Sequence, residues 1–312
     1  MRAVALNEYG GPEVLELMDL PDPKVGPDVV LVRTRAAGVN PVDYKMREGG
    51  IDGRFPSHFP LIPGWDLAGT VEEVGPDVRE FRSGDEVIGY VRRDHVQWGT
   101  YAELVPAPLR TLAPKPASVG WAQAAALPLA GLTAWQALHR GLELEKGDVL
   151  LVHAAAGGVG SFAVQLARVL GAARVIGTAS EGTHDYLREL GAEPVTYGEG
   201  LAERVRDLVP EGVTAVLDLV GGEALEVSPS LLAPGGRLAS VRQADKVEEL
   251  GGRYIFVRPD GAQLAELSGL VDAGRLAIHL HETFPMERAA AAQRLVEGGH
   301  VHGKVVLTFH GA

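Results

Sequence analysis

The stretch Leu150–Ala172, LLVHAAAGGVGSFAVQLARVLGA, decides how the chain is read. It opens on an apolar run, VLLVHA from Val149, of the kind that buried parallel strands use. A glycine-rich turn follows at once, and an apolar-faced helix is expected over Val159–Leu170. The turn reads Ala154-x-x-Gly157-x-x-Gly160. It is a variant of the dinucleotide fingerprint, since strict G-x-G-x-x-G would put its first glycine at Ala155. Strand, turn and helix in this order let backbone approach a pyrophosphate and aim a helix N-terminus at its charge. Ala155, Gly157, Gly158, Val159 and Gly160 are therefore candidate cofactor contacts. The alternative is a tight packing turn that holds nothing.

Outward from this stretch the pattern repeats. ARVIGTAS, a helix His184–Leu190, PVTY, a helix Leu201–Leu208, TAVLDLVG, a helix Glu223–Leu232 and GRLASV follow in turn. Strands alternating with helices of this length indicate βαβ units on a parallel sheet. Upstream, WAQAAALPLAGLTAWQALHRGL from Trp121 is helical in texture, with breaks expected at Pro128 and Gly131. Residues 1 to about 120 differ: short strand-like runs such as Val29–Val39, Leu67–Gly75 and Asp85–Val91 are broken by Gly and Pro. Near the other end, FPMERAAAAQRLVEGG is expected to be a helix stopped at Gly298–Gly299. The final GKVVLTF is strand-like and is expected to return to the first unit.

Composition narrows the function. The 312 residues are 46% hydrophobic and 22% charged, with a formal net charge of −12. That balance argues against a general binder of nucleic acid or anionic membrane. There are no cysteines, which removes disulfides, thiolate metal sites and thiol nucleophiles. No run of about 18 apolar residues suggests a membrane span. The opening MRAVALNEYGGPEVLEL lacks the apolar core of a signal peptide, so a cytoplasmic protein is expected.

The second strand of the parallel unit speaks to the cofactor. An NAD site carries an acid at its end, for the ribose 2′-hydroxyl. Here the strand ends Thr178-Ala179-Ser180. A small hydroxyl residue in that place leaves room for a 2′-phosphate, so NADP(H) is favoured. Arg188, one helical turn on, is a candidate partner for that phosphate, or else a solvated helix charge.

Several motifs in order carry a resemblance across nearly the whole chain. They are GVNPVDYK (Gly38–Lys45), GWDLAGTVEEVG (Gly64–Gly75), GDEVIGY (Gly84–Tyr90), GTYAEL (Gly99–Leu104), AAALPLAGLTAWQAL (Ala124–Leu138), AAAGGVG (Ala154–Gly160) and HGKVVL (His302–Leu307). The chain resembles the zinc-independent quinone oxidoreductase branch of the medium-chain dehydrogenase/reductase superfamily. The resemblance implies an α/β protein: a doubly wound Rossmann sheet over 123–272, inserted in a GroES-like β-rich domain of 1–122 and 273–312. It implies a homodimer that reduces a small quinone, or an enone, in an interdomain cleft.

In zinc-dependent relatives a Cys follows the Gly-Val pair and a His-Glu follows the later Gly. This sequence has Asn40, and Trp65 with Asp66, at those places, so no zinc is expected. The pairs His279/His281 and His300/His302 have strand spacing that would permit a metal, but surface histidines are the plainer reading. Without a Lewis acid the work left is positioning and hydrogen bonding to a developing oxyanion. Asn40 and Tyr44, from the resembling segment, are the candidate catalytic donors. Asn40 before Pro41 is also a good turn residue. Asp43 is expected to orient a neighbour, and Trp65 to wall the substrate pocket or simply fill core. On the cofactor side the resemblance adds Thr133, Ser180, Tyr197, Phe256 and Val257. Two rival functions stand beside quinone reduction: an NADPH-dependent enoyl or 2-alkenal reductase, and a non-catalytic nucleotide-binding protein.

Overall fold

The structure is a computed structural model that describes residues 1–309. Contacts divide the chain into two units, one of residues 1–129, 259–274 and 278–312, the other of 130–258 and 275–277. These junctions differ from the expected 122/123 and 272/273. The helix Gly261–Asp272, which the sequence reading did not anticipate, falls with the first unit. Its Ser268 hydroxyl donates to Pro114 O at 3.0 Å, and its Asp272 accepts from Ser118 N–H at 2.8 Å.

The second unit is the Rossmann sheet. Its six strands run Glu193–Thr196, Arg174–Ala179, Val149–Val152, Val213–Asp218, Leu232–Ser240, Arg253–Tyr254 across the sheet, all parallel. In chain order that is 3-2-1-4-5-6, the doubly wound arrangement whose ligands bind beyond the strands' carboxyl ends. Leu151, Ile176, Val195, Val216 and Leu238 form its core with Val205 and Leu225 from covering helices. The helices His184–Leu190 and Leu201–Leu208 stand where the periodicity put them. The expected helix Glu223–Leu232 is shorter: it spans Gly222–Val227, then tightens into a single turn Ser228–Leu231. Pro229 has no N–H to continue the helical ladder, so the chain turns into the next strand at Leu232. Gly131 does not break its helix. The break is at Pro128 alone, between Trp121–Ala126 and Pro128–Gln136.

The first unit is built on a seven-stranded sheet. The strand Val29–Val39 lies at its heart and pairs antiparallel with Asp66–Val74 and Leu104–Pro108. The strand Lys304–Thr308 returns to it, with Val305 opposite Val39 and Leu307 opposite Ala37. The unit is therefore made from distant parts of the chain. A short helix, Pro41–Arg47, interrupts the β-rich segment directly after Val29–Val39. Pro41 at its first position suits a helix start. Among the described residues no helix is long and apolar enough to cross a membrane.

Candidate functional site

The glycine-rich turn lies at the carboxyl end of the central strand Val149–Val152, and the helix after it spans Gly158–Val169. Ser161 is the first residue whose N–H reaches back to a carbonyl, Gly157 O at 2.9 Å. The N–H groups of the first turn have no intrahelical acceptor and carry the positive end of the helix dipole. A Cβ on Gly160 would lie 2.3 Å from Ala154 O and 2.6 Å from Ala155 Cα. Glycine there lets helix and turn pack closely. Ala154 takes a left-handed φ of 54°, a conformation glycine adopts more readily. The turn is anchored below by Ala154 N–H to Thr178 Oγ1 and Ala155 N–H to Thr178 O. His153 beneath it is fully buried, its ring held by Ser228 Oγ at 3.1 Å. Burial pulls its pKa down to about 4, so it is a neutral core imidazole at pH 7.

Ser180 and Tyr197 stand at the carboxyl ends of adjacent strands, since Ala179 pairs with Thr196. Ser180 Oγ lies 3.3 Å from Thr183 Oγ1, and Tyr197 is 54% exposed. Arg188 is turned to Asp185, at 2.6 Å, on an exposed helix face. Arg204, from the next helix, also reaches this end of the sheet. Arg204 Nε donates to Thr196 O at 3.0 Å, and its Nη2 reaches Tyr197 O and Gly198 O at 3.4 Å. The sequence signal for it was only a cation seven residues beyond Tyr197, on an expected helix. Thr133 is buried in the helix Pro128–Gln136. Three residues on, the Gln136 amide makes two hydrogen bonds to the Arg258 backbone, at 2.9 and 3.0 Å. That clamp holds the irregular loop carrying Phe256, which is exposed, and Val257. The small residues, the free helix N-terminus and the open hydroxyl end fit a dinucleotide.

In the β-rich unit the polar residues converge on one buried cluster. Asn40 ends the strand Val29–Val39 and starts the helix Pro41–Arg47. Asp43, at the third helical position, reaches back and accepts the Asn40 N–H at 2.8 Å. This is the reciprocal half of a capping box. The same Asp43 oxygen accepts the Tyr101 hydroxyl at 3.0 Å. Asn40 Nδ2 donates to Asp66 Oδ2 at 2.8 Å, and Lys304 Nζ donates to Asn40 Oδ1. Lys304 also donates to Val39 O at 3.2 Å and lies 3.6 Å from Asp66 Oδ2. Asp66 Oδ1 accepts the Leu129 N–H at 2.7 Å, in the first turn of the helix Pro128–Gln136. Burial drives Asp66 up and Lys304 down from their ordinary values, each opposed by the other's charge. Burial also pushes Asp43 up to about 7, against the Asn40 N–H that favours its ionised form.

Tyr44 is half-buried on the same helix. The helix is fixed from below by Arg47, fully buried, which donates to Gly10 O and Gln293 Oε1 at 3.0 Å each and pairs with Glu48 and Glu297. Trp65 is buried between aromatic edges, 5.6 Å from Phe55 and 5.9 Å from Tyr90. Arg92 lies over the Phe55 and Tyr90 rings. The sequence reading thus named Asn40, Asp43 and Trp65, but not Tyr101 or Lys304. His281 and His302 stand edge to face at 5.8 Å, and His279 and His300 also lie near enough to act on His302. Among the described residues no group of three or more His, Asp or Glu is placed to hold a metal ion.

A Rossmann sheet and a GroES-like β-rich unit in one chain define a dehydrogenase/reductase architecture. Two family models match, the alcohol dehydrogenase GroES-like domain over residues 26–117 and the zinc-binding dehydrogenase over 190–307. The NADPH-dependent alkenal/one oxidoreductase of Arabidopsis thaliana chloroplasts is 35% identical over 316 residues, 98% of this chain and 79% of that protein. A quinone oxidoreductase of Pseudomonas aeruginosa is 35% identical over 333 residues, 98% of this chain and 99% of that protein. The solved quinone oxidoreductase from Coxiella burnetii superposes with a TM-score of 0.88 at 36% identity, over 99% of both chains. The chain belongs to the medium-chain dehydrogenase/reductase superfamily, in its quinone oxidoreductase branch, and is an oxidoreductase.

Proposed function

We propose that the protein reduces a quinone with NADPH by metal-free hydride transfer. The observation that carries this reading is the buried cluster. The atoms of Asn40 and Asp66 that could ligate a metal are already taken, by the Lys304 ammonium and the Leu129 N–H. What remains is a set of oriented donors and acceptors, which suits an acceptor already electrophilic by conjugation. NADPH, when bound, supplies the hydride. Gly157–Gly160 and the helix behind them hold its pyrophosphate, and Ser180 and Arg204 receive its 2′-phosphate. The acceptor gains two electrons and one hydrogen, negative charge grows on its oxygen, and a proton from water completes the product. Asn40 Nδ2–H and the Tyr44 hydroxyl donate to that oxygen. Such preorganised donors are worth on the order of 10²–10³-fold in rate.

An enone is the second acceptor class. It is favoured by the relative named for alkenal and enone reduction, and the same donors would face its enolate oxygen. The test is oxidation of NADPH and NADH, side by side, by a quinone panel and an enone panel. Quinone turnover favouring NADPH is expected. Arg204→Ala should raise the NADPH KM about tenfold and leave NADH unchanged, while Arg188→Ala changes neither. Enone turnover alone would replace the acceptor. Binding of NADPH with no acceptor reduced would make the protein a nucleotide binder.

A further inference from the structure

Lys304 is 4% exposed, and the residues that follow it in its strand, Val305, Val306 and Leu307, are buried and apolar. Packing does not call for a charge here. A methionine would fill the same space. The ammonium must be explained by what it touches, and it touches Val39 O, Asn40 Oδ1 and the Asp66 carboxylate.

The two ends of an asparagine amide have nearly the same shape, and only their partners decide which is oxygen. Lys304 offers donors only, so Oδ1 must face it. Ionised Asp66 offers acceptors only, so Nδ2 must face it. The two charges impose one orientation on Asn40 and commit one of its two N–H groups. Among the described residues the other donates to nothing in the chain. We propose that Lys304 is a positioning residue of this site: its ammonium, with Asp66 as counter-charge, locks the Asn40 amide so that its second N–H faces the acceptor's oxygen. The catalytic half rests on the reduction proposed above. The lock does not.

The chain contains only two asparagines, Asn7 and Asn40. Asparagine-selective 15N labelling therefore yields two side-chain amide pairs, and Asn7→Ser assigns them. In the wild type, Asn40 should give one sharp pair with slow proton exchange. Lys304→Met leaves Asp66 buried without its partner and is expected to lower Tm, so the deciding variant is Lys304→Met combined with Asp66→Asn. It removes both charges and should recover Tm; the third amide pair it introduces at position 66 is assigned from Asp66→Asn alone. If Lys304 is a lock, the Asn40 pair in this folded double variant doubles or broadens and exchanges at least tenfold faster. Its kcat falls thirtyfold or more, with the NADPH KM within twofold. An unchanged Asn40 pair overturns the lock. A kcat within threefold of wild type overturns the positioning role, because recovery of activity with Tm marks a purely structural pair. If the wild type reduces no quinone or enone, the proposed reduction falls and the amide signals alone decide the lock.

Discussion

Asp43 and His153 are buried groups whose titration falls in or near the working pH range, and they pull stability in opposite directions. Asp43 titrates near 7 in the folded chain, faced by Asn40 N–H, Tyr101, Asp66 and Lys304, against 3.8 when free. The folded state therefore holds its proton more tightly. The associated stability is present below pH 4 and is lost as pH rises through 7, a difference of roughly 4 kcal/mol at about 1.4 kcal/mol per unit. His153 falls from 6.5 to about 4. Its stability is present above 6.5 and is lost as pH falls toward 4. Between pH 4 and 6.5 the two slopes offset each other. Urea unfolding across that range should show Asp43→Asn losing stability on acidification faster than wild type. His153→Gln should gain on acidification. Parallel profiles for all three proteins would mean that neither group is shifted.

At the scale of the element, the glycine-rich turn joins two demands that ordinarily fall to glycine, and the sequence answers only one with it. Gly160 sits where a Cβ would meet backbone at 2.3 Å, so Gly160→Ala must move helix or turn. Overpacking of this kind costs about 1–3 kcal/mol, and dinucleotide affinity should drop with it. Ala154 carries a φ of 54°, and Ala154→Gly should relieve that strain, raising stability by roughly 0.5–1 kcal/mol with the cofactor site intact. Thermal melts with and without NADPH would separate the two effects. A destabilised Ala154→Gly would refute the strain. This turn, the parallel strands and most of the helices were legible in the sequence, because their signals are local: apolar runs, 3.6-residue periodicity and a glycine spacing. The helix Gly261–Asp272 is capped by Asp260, whose side chain accepts Gln263 N–H, yet its weak apolar face hid it among loops. The polar cluster was half legible. Asn40, Asp43 and Trp65 were named from the resembling segments, whereas Lys304, inside HGKVVL, had no role until strand pairing placed it against Asn40.

At the scale of the whole molecule, one sheet depends on partners far apart in sequence. Val29–Val39 and Lys304–Thr308 share a ladder and a buried core that includes Ala37, Val39, Val305 and Leu307. They should open as one cooperative unit. Hydrogen exchange should give amides of both segments the same opening free energy. Faster exchange confined to Lys304–Thr308 would show a loosely attached strand instead. The threading has a consequence during biosynthesis. Lys304 Nζ bonds a carbonyl 265 positions earlier, at Val39. At about 5–20 residues per second, a ribosome takes on the order of ten seconds to a minute to cover that distance. Within that interval the Rossmann unit, 130–258 with 275–277, is completed ahead of Lys304. Ala36–Val39 meanwhile waits with one edge of its ladder unpaired, the kind of exposed strand that recruits neighbours. The chain thus completes its Rossmann unit before Lys304 closes the polar cluster of the β-rich unit, so on the proposed reading a product truncated between the two would bind nucleotide without the means to use it.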